Sequence, residues 1–299
     1  MTRETLINPP KIRKKLDVFR KITGRWRVLP DFVIIGAQRS GTTTLYENLI
    51  SHPDVAPAIR KEVQFFSKNF SNKESWYRSH FPLSATRFVK QKALRRQWMT
   101  GEASPYYIFH PYTPERFHAL NPGARLILIL RNPVDRAYSS YWMQRRRGSE
   151  TLPFREAIKA EPERMRKGIG KLKARPNELS FEHSWFSYIG RGVYADQLAV
   201  WLKYFPRHQI LIIRSEDLFE KPDDVFSGIF SFLGLPAYRL PVIKEHHRKK
   251  YPAMSEETRR ALSEYFRPHN KRLYEMLGRD FGWGLSCAKT PGGINAETV

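Results

Sequence analysis

The sequence has very little cysteine: Cys287 is the only one among 299 residues. One cysteine can form neither an internal disulfide nor a zinc cluster, so a reducing, cytoplasmic environment is expected. The sequence also lacks any apolar run of about 18 residues or more, and no apolar stretch follows its basic N-terminus. We therefore expect neither a membrane-spanning helix nor a secretory signal.

Acidic residues are scarce as well. The 29 Asp and Glu residues stand against 52 Lys and Arg, which gives a formal charge of +23. This excess predicts an anionic partner: nucleic acid, acidic lipid headgroups, a phosphate-rich nucleotide or an acidic polymer. Nucleic acid is not expected, because the sequence contains no zinc-finger, RNA-recognition or basic-zipper signature.

Short apolar runs predict buried β-strands at residues 32–35, 125–130 and 209–213. Their continuous apolar character is typical of parallel strands that helices cover on both faces. Helical patterns alternate with them, at residues 42–51, 134–144, 194–204, 223–233 and 255–277. The predicted fold class is therefore α/β, a single domain with a central parallel sheet flanked by helices.

Three stretches depart from this alternation. Residues 1–28 predict a basic N-terminal helix, with apolar residues at helical spacing: Ile12, Leu16, Phe19, Ile22 and Trp26. Such a helix would lie on an anionic membrane surface or pack on its own domain, and the residues leave both open. Residues 145–180, rich in charge and containing Gly168 and Gly170, predict a helix with a mobile loop that could act as a lid. Residues 286–299 predict a flexible tail.

The stretch from Asp31 to Leu45, DFVIIGAQRSGTTTL, predicts a strand, a glycine-rich turn and a helix. The backbone N–H groups of such a turn and the positive end of the helix bind phosphate. A nucleoside triphosphatase has a lysine directly after the second glycine, whereas here Thr42 follows Gly41 and the loop cation is Arg39. Neither of the other predicted strands ends in an acid that would hold magnesium. A kinase is therefore the less favoured reading of this loop.

A second cluster follows the apolar run RLILIL. Arg131 stands at the carboxyl end of this predicted strand, and Ser139 lies eight residues further on, in the next helix. Ligands bind outside the carboxyl ends of parallel strands. A guanidinium and a hydroxyl there suit a single phosphate group, although an arginine that merely caps the sheet edge fits these two residues equally well.

The two stretches together resemble the sulfotransferase family. The segment GAQRSGTTTL is similar to that family's loop for the 5′-phosphosulfate of 3′-phosphoadenosine 5′-phosphosulfate (PAPS), and LRNPVDRAYSSY is similar to its 3′-phosphate site. Four further segments resemble the glycosaminoglycan (heparan sulfate) branch: HPDVAPAIRKEVQFFS, GEASPYY, YADQLAVWLKYFP and RPHNKRLYEMLGRDFGW. The resemblance covers roughly residues 31–284 and implies a sulfotransferase domain over residues 29–285.

The resemblance also implies roles for individual residues. Glu62 matches the base that removes the acceptor's proton, and Arg39 matches the cation that neutralises the leaving phosphate. The implied PAPS-binding residues are Arg39, Ser40, Gly41, Thr42, Thr43, Thr44, Arg131, Ser139, Arg248 and Lys249. No metal is implied.

Two departures from the family pattern stand out. Ala103 occupies a position where many relatives have a lysine, so an acceptor contact or auxiliary cation is missing there. The stretch HHRKKYP, which supplies Arg248 and Lys249, replaces a disulfide-closed loop of animal relatives. Histidine is the base in small-molecule sulfotransferases, so five histidines are alternative candidates: His52, His110, His183, His246 and His247. None of them matches the position of that base.

The function implied is transfer of a sulfuryl group from PAPS to a hydroxyl or amine of a carbohydrate-type acceptor, in line and with a glutamate base. The basic clusters at 145–147 and 164–175 suit an acidic polysaccharide or a glycolipid at an anionic membrane. Two alternatives of other classes stay open: a P-loop kinase, and a non-catalytic basic protein that binds membrane or nucleic acid.

Overall fold

The computed structural model describes residues 17–240 and 251–284. Within them, five strands form one sheet in the order β2-β3-β1-β4-β5, and every paired strand is parallel. The strands are β1 (Phe32–Gly36), β2 (Val55–Pro57), β3 (Met99–Ala103), β4 (Arg125–Leu130) and β5 (Ile210–Arg214). The predicted α/β fold with a central parallel sheet is confirmed.

Strands β1 and β4, which are neighbours inside the sheet, show what their continuous apolar runs do. In β1, Val33 and Ile35 belong to the hydrophobic cluster on one face of the sheet, whereas Phe32 and Ile34 belong to the cluster on the other face. The leucines and isoleucines of β4 divide in the same way, because successive side chains of a strand point to opposite faces. Helices therefore cover both faces.

Eleven α-helices with complete bounds lie within the described ranges. They are α1 (Thr42–Leu49), α2 (Glu74–Arg78), α3 (Ser84–Leu94), α4 (Thr113–Leu120), α5 (Pro133–Arg146), α6 (Phe154–Ala174), α7 (Phe181–Trp185), α8 (Tyr194–Trp201), α9 (Ser215–Glu220), α10 (Pro222–Leu233) and α11 (Glu256–Leu277). Local signals set several ends. The Asn132 side chain accepts the Val134 N–H at the start of α5, and Gly234, with φ of 68°, ends α10 in the left-handed region.

The sequence did not predict two of the strands, β2 and β3. Strand β3 has the sequence MTGEA, which lacks an apolar run, yet it lies between β2 and β1 and is fully buried. A side chain at Gly101 would place its Cβ 2.4 Å from the Phe32 ring, so a glycine is required at this close approach. Thr100 satisfies its hydroxyl on the Ala56 carbonyl oxygen. Polar residues are thus tolerated because each finds a partner.

The prediction of a mobile loop within residues 145–180 is wrong at Gly168 and Gly170. Helix α6 continues through Gly168 and Gly170 without a break. A Cβ at Gly168 would lie 2.7 Å from the His183 backbone nitrogen, so this glycine allows α6 to pack closely on α7. Glycine here serves a close contact between helices and not backbone freedom.

The segment before β1 is attached to the domain by its arginines. Residues 17–22 are helical, and a 3₁₀ turn follows at Gly24–Trp26. Arg20 donates to the carbonyl oxygens of Ser79 and Phe81 at 2.8 and 3.1 Å, and Arg27 donates to the same Phe81 oxygen at 2.8 Å. Residues 1–16 and the predicted tail at 286–299 lie outside the described residues.

Candidate active site

The carboxyl ends of four strands bring the site together. Strand β1 ends at Gly36, and α1 begins at Thr42 after Gly41, whose φ of 95° only glycine adopts readily. The Ser215 hydroxyl, at the end of β5, donates to the Ser40 carbonyl oxygen at 2.8 Å and supports the turn. The turn therefore directs the N-terminal end of α1 towards the edge of the sheet where ligands bind.

The residues predicted to hold the 3′-phosphate lie against this turn. Arg39 Nε donates to Ser139 Oγ at 3.0 Å, and Arg131 Nη1 donates to the Arg39 carbonyl oxygen at 3.3 Å. Burial lowers the pKa of Arg39, and the nearby Arg131 guanidinium lowers it further. The structure thus joins the three residues in one cationic cluster, with the Arg39 side chain directed towards α5.

The residue predicted as the base lies on the loop after β2. The Glu62 side chain is 44% exposed. Its Oε2 accepts the Gln64 side-chain amide at 2.9 Å, and Gln64 in turn accepts the Ser67 hydroxyl at 2.9 Å. Gln64 therefore holds the carboxylate in place from one side through a fixed, neutral amide, a contact that the sequence pattern alone did not reveal.

A lysine links the base to the phosphate turn. Lys61 Nζ lies 3.6 Å from Glu62 Oε1 and donates to Thr43 Oγ1 at 2.6 Å. The Lys61 carbonyl oxygen accepts the Ala103 N–H at 2.9 Å, at the end of β3. Ala103, the departure from the family pattern, thus helps to position this segment through its backbone.

A buried carboxylate supports the same segment from below. Glu102 accepts the Val63 N–H at 3.1 Å and the Ser104 hydroxyl at 2.7 Å on one oxygen, and the hydroxyls of Tyr77 and Tyr107 at 2.8 and 3.2 Å on the other. Complete burial raises the pKa of Glu102 to about 7, against these hydrogen bonds, which lower it.

Replacing Glu102 by glutamine is expected to flatten the pH dependence of stability. A carboxyl group that titrates near 7 when folded and near 4.5 when unfolded keeps a proton that the unfolded chain loses, so the free energy of unfolding falls as pH rises between these values. The loss from this group amounts to about 3 kcal/mol. Denaturant titrations from about pH 5 to about pH 8 measure it, and equal slopes in both proteins would contradict the assignment.

A buried arginine approaches the turn from the other side. Arg191 is 4% exposed and donates to Gln38 Oε1 and the Ser184 carbonyl oxygen, each at 2.6 Å. Glu161 fixes the preceding loop by accepting the N–H groups of residues 188, 189 and 190 at 2.7–2.8 Å. Burial lowers the pKa of Arg191 to about 10. Sequence reasoning missed this residue, since 153 positions separate it from its partner in the turn.

The histidines that were alternative candidates for the base are core residues wherever the structure describes them. His52 contacts the Pro236 carbonyl oxygen at 3.1 Å and is 2% exposed. Burial lowers the pKa of both His110 and His183 to about 3, and His183 Nδ1 lies 2.7 Å from the Tyr106 hydroxyl. His246, His247, Arg248 and Lys249 lie outside the described residues.

Comparison of the sequence with known protein families assigns the chain to one of them. The model of the sulfotransferase domain matches residues 29–276. The chain belongs to the sulfotransferase family. Members of this family use PAPS as donor. A sulfotransferase is an enzyme that transfers a group, and the family assignment gives no support to a kinase or to a non-catalytic binding protein.

Individual sulfotransferases agree with this assignment. The chain is 31% identical to human heparan sulfate glucosamine 3-O-sulfotransferase 6 over 86% of its own length and 75% of that protein. It is 29% identical to the membrane-associated sulfotransferase kil1 of Dictyostelium discoideum, over 88% of its own length and 68% of that protein. The crystal structure of a sulfotransferase from Alicyclobacillus acidocaldarius superposes with a TM-score of 0.66 at 30% identity, over 86% of this chain and 99% of that one.

Proposed function

We propose that this sulfotransferase moves a sulfuryl group from PAPS to a hydroxyl or amine of a carbohydrate acceptor, with Glu62 as the base. One observation carries the proposal: the segment that bears Glu62 is connected to Thr43 of the phosphate turn by a single lysine side chain. A base and a phosphate-binding turn that lie this close can serve the two reactants of one transfer step.

The turn, together with Arg131 and Ser139 beside it, suits a donor with phosphate at both ends of its ribose. The N-terminal end of α1, with the hydroxyls of Thr42, Thr43 and Thr44, suits the 5′ side. Arg131 and Ser139 suit a separate 3′-phosphate, because a guanidinium offers paired N–H donors to two oxygens. Arg248 and Lys249 remain predictions for the same nucleotide. When bound, PAPS supplies an activated sulfuryl group.

The chain's own groups then have separate tasks. Glu62 accepts the proton of the acceptor hydroxyl or amine, and such general base catalysis contributes about 10²- to 10⁴-fold. The N–H groups of the turn stabilise the negative charge that grows on the departing phosphate, because they are fixed before the reaction starts. We assign Arg39 the same task, for which its guanidinium exchanges the Ser139 hydroxyl for a donor oxygen. Gln64 and Glu102 have no part in the proton transfer and only hold the Glu62 segment in place.

The acceptor that fits best is an acidic carbohydrate. Arg146 and Arg147, at the end of α5, are near enough to lower the pKa of Arg39. Lys68, whose Nζ lies 5.5 Å from the centre of the Tyr106 ring, has its pKa lowered by burial and by Arg191. Glu62 in turn raises the pKa of Lys61, Lys68 and Arg191, so these cations lie near the base, as expected for a negatively charged acceptor. The relative named for heparan sulfate supports the same class.

Calorimetry in the presence of EDTA tests the donor. We expect tight binding of adenosine 3′,5′-bisphosphate (PAP), the donor product, and no binding of ATP. ATP binding that appears only with magnesium would instead support a kinase. Transfer from sulfur-labelled PAPS to acidic polysaccharides and glycolipids identifies the acceptor. Transfer that continues in the presence of EDTA supports the prediction that no metal is needed.

Contact with a membrane is the second part of the proposal. The N-terminal segment, residues 17–28, turns Arg20 and Arg27 towards the domain and buries Val28, but it leaves four large apolar side chains outside. Val18, Phe19, Ile22 and Trp26 are all between 52% and 67% exposed. Lys21 and Arg25 lie among them, and the whole chain carries +23. An apolar face with basic neighbours fits an anionic lipid surface. The described residues contain no helix long and apolar enough to cross a bilayer.

Vesicle sedimentation tests this surface. The double variant Phe19→Ser/Ile22→Ser is expected to bind phosphatidylserine-containing vesicles at least about tenfold more weakly, because two exposed apolar side chains that would insert into the lipid are lost. Phe88→Ser is the control, since Phe88 on α3 is 67% exposed as well. Equal loss in the control, or self-association that the double variant abolishes, would overturn the membrane assignment. The cytoplasmic location stays a prediction.

A further inference from the structure

Lys61 has two fixed ends in the structure. Its backbone carbonyl oxygen accepts the Ala103 N–H at 2.9 Å, which ties the residue to the end of β3. Its ammonium donates to Thr43 Oγ1 at 2.6 Å, in the first turn of α1. The side chain therefore spans the space between the segment that carries the base and the turn that binds the donor.

The environment of this ammonium is unusual for a lysine. The side chain is 22% exposed. Burial lowers its pKa, whereas the neighbouring carboxylate of Glu62 raises it. An ammonium carries three N–H donors: the Thr43 hydroxyl takes one, and the Glu62 carboxylate at 3.6 Å faces a second. A compact cation with a third donor thus lies between Glu62 and Thr43.

We propose that Lys61 is a catalytic residue that binds the oxygens of the sulfuryl group during transfer. The inference rests on the proposed function. The acceptor oxygen or nitrogen forms a bond to sulfur while the bond from sulfur to the 5′-phosphate oxygen breaks. The electron pair of the broken bond leaves with the phosphate, and the acceptor's proton passes to Glu62. The sulfuryl oxygens must therefore pass between the base and the turn, which is where the Lys61 ammonium lies. Lys61 gives up no proton in this step.

The affinity difference between PAPS and its product PAP isolates this contact, because the two molecules differ only by the sulfuryl group. In calorimetry without acceptor, Lys61→Met is expected to bind PAPS about tenfold or more weakly, since a hydrogen bond to a charged group is lost. Its affinity for PAP should be unchanged. Lys61→Arg, which keeps the charge, should restore part of the PAPS affinity.

Arg60→Met is the matched control, because Arg60 is the preceding residue, carries the same charge and is exposed. It should keep both affinities. If Lys61→Met loses PAP and PAPS affinity equally, Lys61 only supports the turn, and if it loses neither, Lys61 does not touch the sulfuryl group. Either result overturns the inference. Failure of the proposed function would look different, because the unaltered protein would then bind neither nucleotide.

Discussion

Replacing Glu62 by glutamine is expected to leave nucleotide binding intact and to slow sulfuryl transfer by about 10²- to 10⁴-fold. The amide has nearly the same shape, and its oxygen can still accept the hydrogen bond from Gln64, so the loop should keep its conformation. It cannot accept the acceptor's proton. Turnover of sulfur-labelled PAPS measures the loss, and calorimetry with PAP checks the binding site.

The control for this variant is Glu115→Gln, on the exposed side of α4, which removes a carboxylate of the same kind outside the site. It should turn over normally. Near-normal turnover of the Glu62→Gln protein would reject the assignment of the base. A parallel loss of PAP affinity would mean that the substitution disturbs the turn through Lys61 and Thr43.

Replacing Arg131 by alanine is expected to weaken PAP binding by about 10²- to 10³-fold, because a phosphate would lose a half-buried, hydrogen-bonded charge partner. A nucleotide without the 3′-phosphate, such as adenosine 5′-monophosphate, should lose little affinity. Calorimetry with both nucleotides measures the difference.

Because Arg131 also donates to the Arg39 carbonyl oxygen, a second variant separates binding from support of the turn. Ser139→Ala removes one hydroxyl from α5 and should weaken PAP about tenfold without affecting the shorter nucleotide. Equal losses for both nucleotides in both variants would place the 3′-phosphate elsewhere.

The parts of the fold that could be predicted from sequence are those with local signals. The apolar runs of β1, β4 and β5 and the glycine-rich turn before α1 each stand out in a short window. Strand β3 does not, because Thr100, Gly101 and Glu102 suit a buried strand only through partners far away in the chain. A window of a few residues contains none of those partners.

The same reasoning applies to the site. The resemblance identified Glu62, Arg39, Arg131 and Ser139, and the structure brings Arg39, Arg131 and Ser139 into contact. The neighbours that hold them could not be predicted. Arg191 reaches the turn only because Glu161 folds a loop from another helix, and the contact from Lys61 to Thr43 depends on how two loops pack.

The inward-facing arginines before β1 have a practical consequence for anyone who shortens this protein. A chain cut to begin at residue 29, where the family match starts, would lose the guanidinium groups of Arg20 and Arg27 together with the buried side chain of Val28. The Phe81 carbonyl oxygen would then be stripped of both of its arginine donors. We expect such a fragment to be less stable, so the smallest well-folded unit starts upstream of the recognisable family region.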